Sequence, residues 1–265
     1  MKKKLIKLIS FVLIIAALFY FFYPLRSLAV MGIYSAQHEK ESVMRQNGFE
    51  IDMPSGRGWY PFVMTFNADG FKRFSGLDAK MSIMYNFGAF DLSTRTSSIY
   101  DTDSEYYSSF YGAYVIEENG GVFGFDENGW LDMDEVSLAV KYDYTKLVIE
   151  DFGCEKPVFG IDDTAIEEGI TFAQTDGWTR IDAVLNVNGC AHGYDGYKTP
   201  YLQYGRPFGE VETDFEETQL FGRVYAKYFE EYGCTVMAYI IAPNTDTLEN
   251  CDIEILSETT IAPIS

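Results

Sequence analysis

Residues that commonly carry catalytic chemistry are scarce in this sequence. It contains two histidines and four cysteines among 265 residues, and it has no Cys-x-x-Cys pair. The patterns G-x-S-x-G, H-E-x-x-H, S-x-x-K and the P-loop are also missing. These absences argue against the common serine hydrolases, zinc proteases, penicillin-interacting enzymes, nucleotide-driven motors and thiol oxidoreductases. Enzymes that use two carboxylates stay open, because no local spacing identifies them.

Basic residues are scarce too. The chain has 20 of them against 40 acidic residues, a net charge of −20. Five of the basic residues lie at or before Arg26, and no acidic residue precedes Glu39, so the remainder holds 15 basic and 40 acidic residues, a net charge of −25. Such a surface repels nucleic acid and attracts cations, including calcium where carboxylates converge.

The N-terminus combines lysines with an apolar run. Residues 8–23 carry no charge, and residues 5–25 as a helix would span about 31 Å, enough for a bilayer core of about 30 Å. We therefore predict a cytoplasmic basic tail over 1–4 and a transmembrane signal-anchor over 5–25, through which the chain contacts the membrane. The alternative is a cleaved signal peptide, for which Ser27-Leu28-Ala29 is a suitable cleavage site.

Both interpretations place the rest of the chain on the same side. Because lysines stay in the cytoplasm, the sequence predicts a single-pass protein of the cell membrane with a cytoplasmic N-terminus and its C-terminal domain outside. If the segment is cleaved, the protein is secreted. The style of this N-terminus indicates a bacterial cell-envelope protein.

The remaining residues predict one α+β domain. We assign a juxtamembrane stalk to 26–52 and an extracytoplasmic domain to 53–265, with a mostly antiparallel β-sheet and a few helices, preceded by the one transmembrane helix. Helices are predicted from Met133, over 221–232 and over 245–258, the last with a strand at 251–256 as its alternative. Strands are predicted at 59–67, 80–87, 106–117, 122–125, 144–151, 170–174, 178–187 and 234–242.

The four cysteines leave two interpretations open. Cys154, Cys190, Cys234 and Cys251 can form two disulfides, in three possible connectivities, in an oxidising compartment. A domain of this size also folds without disulfides, so the same residues can be buried free thiols.

Aromatic residues flank several Gly-rich segments, above all 188–208. Exposed tyrosine and tryptophan side chains are large, rigid and able to form hydrogen bonds, which suits recognition of a sugar or peptide. The competing interpretation is that these rings fill the core. The candidate ligand-binding residues are Trp59, Tyr60, Trp130, Trp178, Arg180, His192, Tyr194, Tyr197, Tyr201 and Arg206.

Two acidic runs are candidate calcium ligands, because alternate carboxylates in a turn can converge on one hard cation. Neither matches the EF-hand loop, and solvated turns or a helix cap at Asp132 compete with the metal. Calcium is the one cofactor considered. The candidate residues are Asp101, Asp103, Glu105, Asp126, Asn128, Asp132 and Asp134.

No catalytic residue can be assigned. Cys190 and His192 would share one face of a strand, but no nucleophile motif surrounds them. The leading hypothesis is a non-catalytic, membrane-anchored domain that binds a ligand or partner, such as glycan, peptide or protein, in the cell envelope. The alternatives are an envelope hydrolase that cleaves glycan with a carboxylate pair, and an accessory subunit of a membrane complex.

Overall fold

The computed structural model describes residues 2–21, 23–56, 58, 60–91, 93–94, 96–101, 103–150, 154–188, 202–203, 206–207 and 216–264. The helices are α1 (Lys2–Phe21), α2 (Tyr23–His38), α3 (Val43–Gln46), α4 (Phe71–Ser75), α5 (Met133–Tyr142) and α6 (Thr245–Glu254). A π-helix over Asp143–Ile149 extends α5, and 3-10 turns cover Glu39–Glu41 and Leu256–Glu258. The strands are β1 (Phe49–Asp52), β2 (Tyr60–Asn67), β3 (Ala79–Asp91), β4 (Thr96–Ser97), β5 (Phe110–Glu118), β6 (Phe159–Phe172), β7 (Thr175–Asn188), β8 (Leu202–Gln203), β9 (Arg206–Pro207), β10 (Glu217–Phe229), β11 (Cys234–Ala242) and β12 (Thr260–Pro263).

One large antiparallel sheet organises the fold. Its strands run in the order β2-β3-β5-β11-β10-β7-β6, with β4 added beside β3. Two smaller pairs, β1 with β12 and β8 with β9, are antiparallel as well. The predicted α+β class with a mostly antiparallel sheet and few helices is therefore confirmed.

The sheet is covered on both faces. Helices α4 and α5 and the π-helix pack on one face, which we call the α5 face. Helices α3 and α6 and strand β1 cover the other face, which we call the α6 face. Every residue of β11 is buried, which explains its nearly continuous apolar sequence. Residues 43–49, within the segment predicted to be a stalk, contribute Val43, Met44 and Phe49 to the α6-face core.

The predicted transmembrane anchor is wrong. Among the residues that the structure describes, no helix is long and apolar enough to cross a membrane. The single-pass topology built on that segment is withdrawn, and the cell-envelope assignment stays a prediction.

The helix predicted over 221–232 is also wrong. Residues 221–229 belong to β10, a central strand paired with β11 and β7, and 230–232 lie in the turn that follows it. A strand that is buried on both faces has apolar residues on both sides, so apolar residues fall at helical as well as alternating spacings. Phe221, Tyr225 and Phe229 point to the α6 face, and Val224 and Ala226 to the α5 face.

Two predicted strands are replaced by other structures. Residues 144–151 were expected to be extended, but 144–149 continue α5 as part of the π-helix, where the Thr145 hydroxyl donates a hydrogen bond to the Lys141 carbonyl (2.7 Å). Residues 122–125 were expected to pair with the preceding strand. That strand, β5, already pairs with β3 and β11, so neither of its edges is free.

The turn of the β6–β7 hairpin lies two residues before the predicted one. Ala173 and Gln174 have φ angles of 48° and 59°, the left-handed conformation that a primed two-residue turn requires. The strands predicted at 170–174 and 178–187 implied a turn at 175–177, next to Gly177. Gly177 has a φ of 83° but lies in an irregular part of β7. The helix over 245–258 is confirmed as α6 and the following 3-10 turn, so the alternative strand is excluded.

Candidate functional site

The predicted aromatic recognition surface is not assembled by the residues that the structure describes. Trp178 is fully buried, donates a hydrogen bond to the Thr175 hydroxyl (2.9 Å) and packs edge-on against Phe172 and Phe229. Trp130 is exposed, in the turn before α5. Trp59, His192, Tyr194, Tyr197 and Tyr201 lie outside the described residues, as do the side chains of Tyr60 and Arg206.

The acidic runs form local turns. The Asp126 carboxylate accepts hydrogen bonds from the backbone of Asn128 (2.8 Å) and Trp130 (2.9 Å), and Asp101 accepts one from Asp103. Asp132 caps α5, accepting from the Asp134 and Glu135 amides. In the described part of the chain, no three histidine, cysteine, aspartate or glutamate residues are grouped to hold a metal ion. The remaining calcium candidates, Glu105 and Asp134, are exposed.

Among the predicted ligand-binding residues whose side chains the structure describes, Arg180 alone belongs to a larger polar cluster. On the α6 face of β7, its guanidinium contacts Glu167 (2.9 Å) and Asp182 (3.2 Å). Asp182 also accepts a hydrogen bond from Arg223 of β10, with 2.5 Å between Nε and Oδ1. This contact joins Arg180 to a second arginine that sequence inspection did not select.

Arg223 is the centre of this cluster. Its other guanidinium nitrogens bind Glu249 (2.8 Å from Nη2) and Asp252 (2.5 Å from Nη1), both on α6. Burial lowers the pKa of the Arg223 guanidinium, but its hydrogen bonds with Glu249 and Asp182 outweigh that effect and raise it overall. The Tyr225 hydroxyl donates to Asp252 as well (2.9 Å), which completes the attachment of α6 to β10.

The cluster leaves an excess of negative charge. Two guanidinium groups face four carboxylates, those of Glu167, Asp182, Glu249 and Asp252, so the net charge is −2. The Arg223 side chain is 7% exposed, whereas those of Asp182 and Glu249 are 31% and 52% exposed. Around Arg223 a molecule that approaches from solvent therefore meets carboxylates, with this cation beneath them, whereas Arg180 is itself 33% exposed.

A cavity of about 180 Å³ lies beside this cluster, between α6 and the β6–β7 hairpin. We call it the α6 groove. Its lining combines the carboxylates of Asp163, Asp182 and Glu249 with the apolar side chains of Val184, Phe221 and Leu248. Carboxylates next to an apolar surface suit a ligand that carries a cation on an apolar stem.

Sequence inspection missed this site because its parts are far apart along the chain. Arg223 lies 41 residues from Asp182, 26 from Glu249 and 29 from Asp252. One feature of the sequence does indicate the site, the single arginine within the apolar segment 220–226. The mistaken helix prediction gave no reason to expect that this arginine is buried. A buried arginine needs carboxylate partners, so this signal predicts an ion cluster without naming its members.

A second carboxylate is buried on the α5 face. Asp143, the first residue of the π-helix, is 4% exposed. It accepts hydrogen bonds from the hydroxyls of Tyr114 (2.6 Å) and Tyr85. Burial raises the pKa of Asp143 to about 6, although the hydroxyls of Tyr114, Tyr85 and Tyr239 lower it. This carboxylate is therefore closed off from solvent on the α5 face, unlike those of the Arg223 cluster.

Comparison with known protein families, with curated proteins and with solved structures gives no match for this chain.

Proposed function

We propose that this chain is a non-catalytic binding domain, and that the α6 groove binds a ligand or partner through a positively charged group on an apolar stem. The observation that carries the proposal is the charge excess at the groove: Arg223 is buried beneath three carboxylates, and two of these, Asp182 and Glu249, face the cavity. The neighbouring Val184 and Leu248 side chains would contact the stem.

The ionisation of the groove supports binding over hydrolysis. A glycan hydrolase with two carboxylates needs one of them protonated, with a raised pKa, to act as the general acid. At the α6 groove, the hydrogen bond from Arg223 lowers the pKa of Glu249. Among the described carboxylates, burial raises the pKa of Asp143 to about 6 and also raises that of Glu118, and neither residue lines the groove.

A pair of isosteric probes tests the proposal. n-Butylammonium and n-butanol have the same stem and differ in charge. Each is titrated into the protein, and binding is followed by the methyl NMR signals of Val184 and Leu248. The difference between the two probes measures the contribution of the positive charge. We expect saturable shifts with butylammonium alone, weakened by Glu249→Gln and unchanged by the control Glu258→Gln. Equal shifts with both probes, or none with butylammonium, would contradict the proposal.

A separate feature favours a second function, an accessory subunit of a larger complex. The side chains of α1 from Lys4 to Leu18 are all exposed, including ten large apolar ones that are 39–63% exposed. An exposed apolar surface of this kind marks an interaction site.

Sedimentation velocity tests this second function. We expect the wild-type chain to associate and the variant with Leu8→Ser, Val12→Ser and Ile15→Ser to associate less, because the polar replacements remove apolar contact area. A wild-type chain that sediments as a monomer at every concentration would show that the apolar side chains of α1 do not drive association, and would contradict an interaction surface there.

A further inference from the structure

Strand β6 forms one edge of the large sheet. Among the described residues it pairs with β7 alone, and residues 161–169 are all exposed. Register shifts fall between Ile161 and Asp163 and again after Glu167, so 163–167 is the regular stretch. The outer edge of such a stretch presents backbone N–H and C=O groups that a further strand can use.

The charged side chains of β6 are all acidic. The strand carries four carboxylates, at Asp162, Asp163, Glu167 and Glu168, and no basic residue. Its two exposed isoleucines, Ile161 and Ile166, are 37% and 47% exposed. Two copies of this strand would repel each other, whereas a strand with basic and β-branched residues would be complementary to it.

The register with β7 assigns these side chains to the two faces. Asp163, Ala165 and Glu167 pair with Val184, Asp182 and Arg180, which places them on the α6 face, beside the α6 groove. Thr164 and Ile166 lie on the opposite face. Ala165 is small, and adjacent strands are about 4.8 Å apart, so a long side chain opposite Ala165 can cross it toward Asp182.

We propose that an extended peptide with basic residues at alternate positions adds to β6 as a new edge strand. Its outer basic residues lie opposite Asp163 and Glu167, and its β-branched residues lie opposite Thr164 and Ile166. Its central basic side chain enters the α6 groove, and in this respect the inference rests on the proposed function.

The probe is the acetylated and amidated peptide Lys-Val-Lys-Val-Lys, whose pattern reads the same in both strand directions. Two further versions carry backbone N-methyl groups, one at the lysines and the other at the valines. Alternate N–H groups of a strand point to opposite sides, so only one of these versions loses the N–H groups that face β6. Titration calorimetry compares the three peptides with butylammonium.

We expect one N-methylated peptide to bind about tenfold or more weakly than the parent, because two or three backbone hydrogen bonds are lost, and the other to bind like the parent. If both methylated peptides bind like the parent, or both lose binding equally, strand addition is overturned. If butylammonium binds and no peptide does, strand addition is overturned while the proposed function stands. If nothing binds, both are overturned, and the acids of β6 serve to prevent edge pairing.

A matched pair of variants locates the contact on β6. Asp163→Asn should weaken binding of the parent peptide about 1.5- to 5-fold, the range for one exposed ion pair. The control Asp134→Asn makes the same charge change in the first turn of α5 and should leave binding unchanged. Equal effects of the two substitutions would show attraction by net charge alone and would overturn a site on β6.

Discussion

At the scale of single residues, two buried charged groups determine much of the interior. Asp143 and Arg223 lie on opposite faces of the same sheet, each within a set of hydrogen bonds. The two charges differ in whether the fold provides a partner of opposite charge. Arg223 is neutralised by three carboxylates, whereas Asp143 has tyrosine hydroxyls as partners and retains its negative charge in an apolar region. Their substitutions should therefore act differently.

Asp143→Asn should flatten the dependence of stability on pH. The folded-state pKa is raised to about 6 from an ordinary 3.8, so the contribution of Asp143 to stability is fully present below pH 4 and is lost as the pH rises through 6. The shift corresponds to about 3 kcal/mol. Urea unfolding at pH 4, 5, 6 and 7 should show wild type losing about 2 kcal/mol more than the variant, because part of the full effect falls below pH 4. Equal losses in both proteins would contradict the assignment, and Asp134→Asn is the surface control.

Arg223→Met should destabilise the fold because it leaves Asp182, Glu249 and Asp252 close together without a cation. We expect a loss of about 3 kcal/mol in the free energy of unfolding, the low end for a buried pair that loses one partner, because Glu249 and Asp182 keep contact with water. Arg180→Met, on the same face but more exposed, should lose at most about 1 kcal/mol. Equal losses would show that burial of Arg223 is unimportant.

At the scale of elements, the centre of the sheet depends on a close approach between β3 and β5. A Cβ atom added at Gly112 of β5 would lie 1.9 Å from the Met84 carbonyl oxygen, which belongs to the backbone and cannot turn aside. In β10, a Cβ at Gly222 would first meet the Leu185 Cδ1 atom, 3.3 Å away at the end of a flexible side chain. The two glycines form a matched pair.

Gly112→Ala should lower the free energy of unfolding by about 3 kcal/mol, since the strands must separate to admit the methyl group. Gly222→Ala should change it by less than about 1 kcal/mol, because Leu185 can move. Chemical denaturation of both variants measures the difference. If Gly112→Ala is as stable as Gly222→Ala, the close approach of β3 and β5 is incorrect.

At the scale of the whole molecule, burial determines the reactivity of the cysteine thiols. Cys154, Cys234 and Cys251 are free and buried, which favours the free-thiol interpretation for these three; Cys190 lies outside the described residues. Burial raises the pKa of Cys234 to about 12 and that of Cys251 to about 11. Both thiols are therefore protonated and poor nucleophiles at neutral pH.

A Cys190→Ser variant should react with a thiol reagent only after unfolding. In native buffer at neutral pH we expect almost no release of chromophore from Ellman's reagent, and in concentrated urea three thiols per chain, because burial and the raised pKa both suppress reaction. The wild-type melting temperature should also be the same with and without reductant. Fewer than three thiols in urea without reductant would indicate a disulfide and contradict the structure.

The linear pattern of residues was sufficient where one face of an element or a local turn decides the structure. Alternation predicted the core of β3, the apolar run predicted β11, and the side chains of Asp132 and Asn244 accept the amide hydrogen bonds that start α5 and α6. These features depend on neighbours within about four residues, whose preferences are local. The acidic surface follows from composition in the same way.

Long-range packing decided those strands and side-chain contacts that the linear pattern did not predict. Segment 221–229 is a strand because β11 and β7 occupy both of its edges, and residues 122–125 are not a strand because β5 has no free edge. The α6 groove exists because Arg223 recruits carboxylates from two other elements, 26 to 41 residues away. The free energy of a buried charge depends on which groups the fold brings to it in space, and no local spacing encodes that.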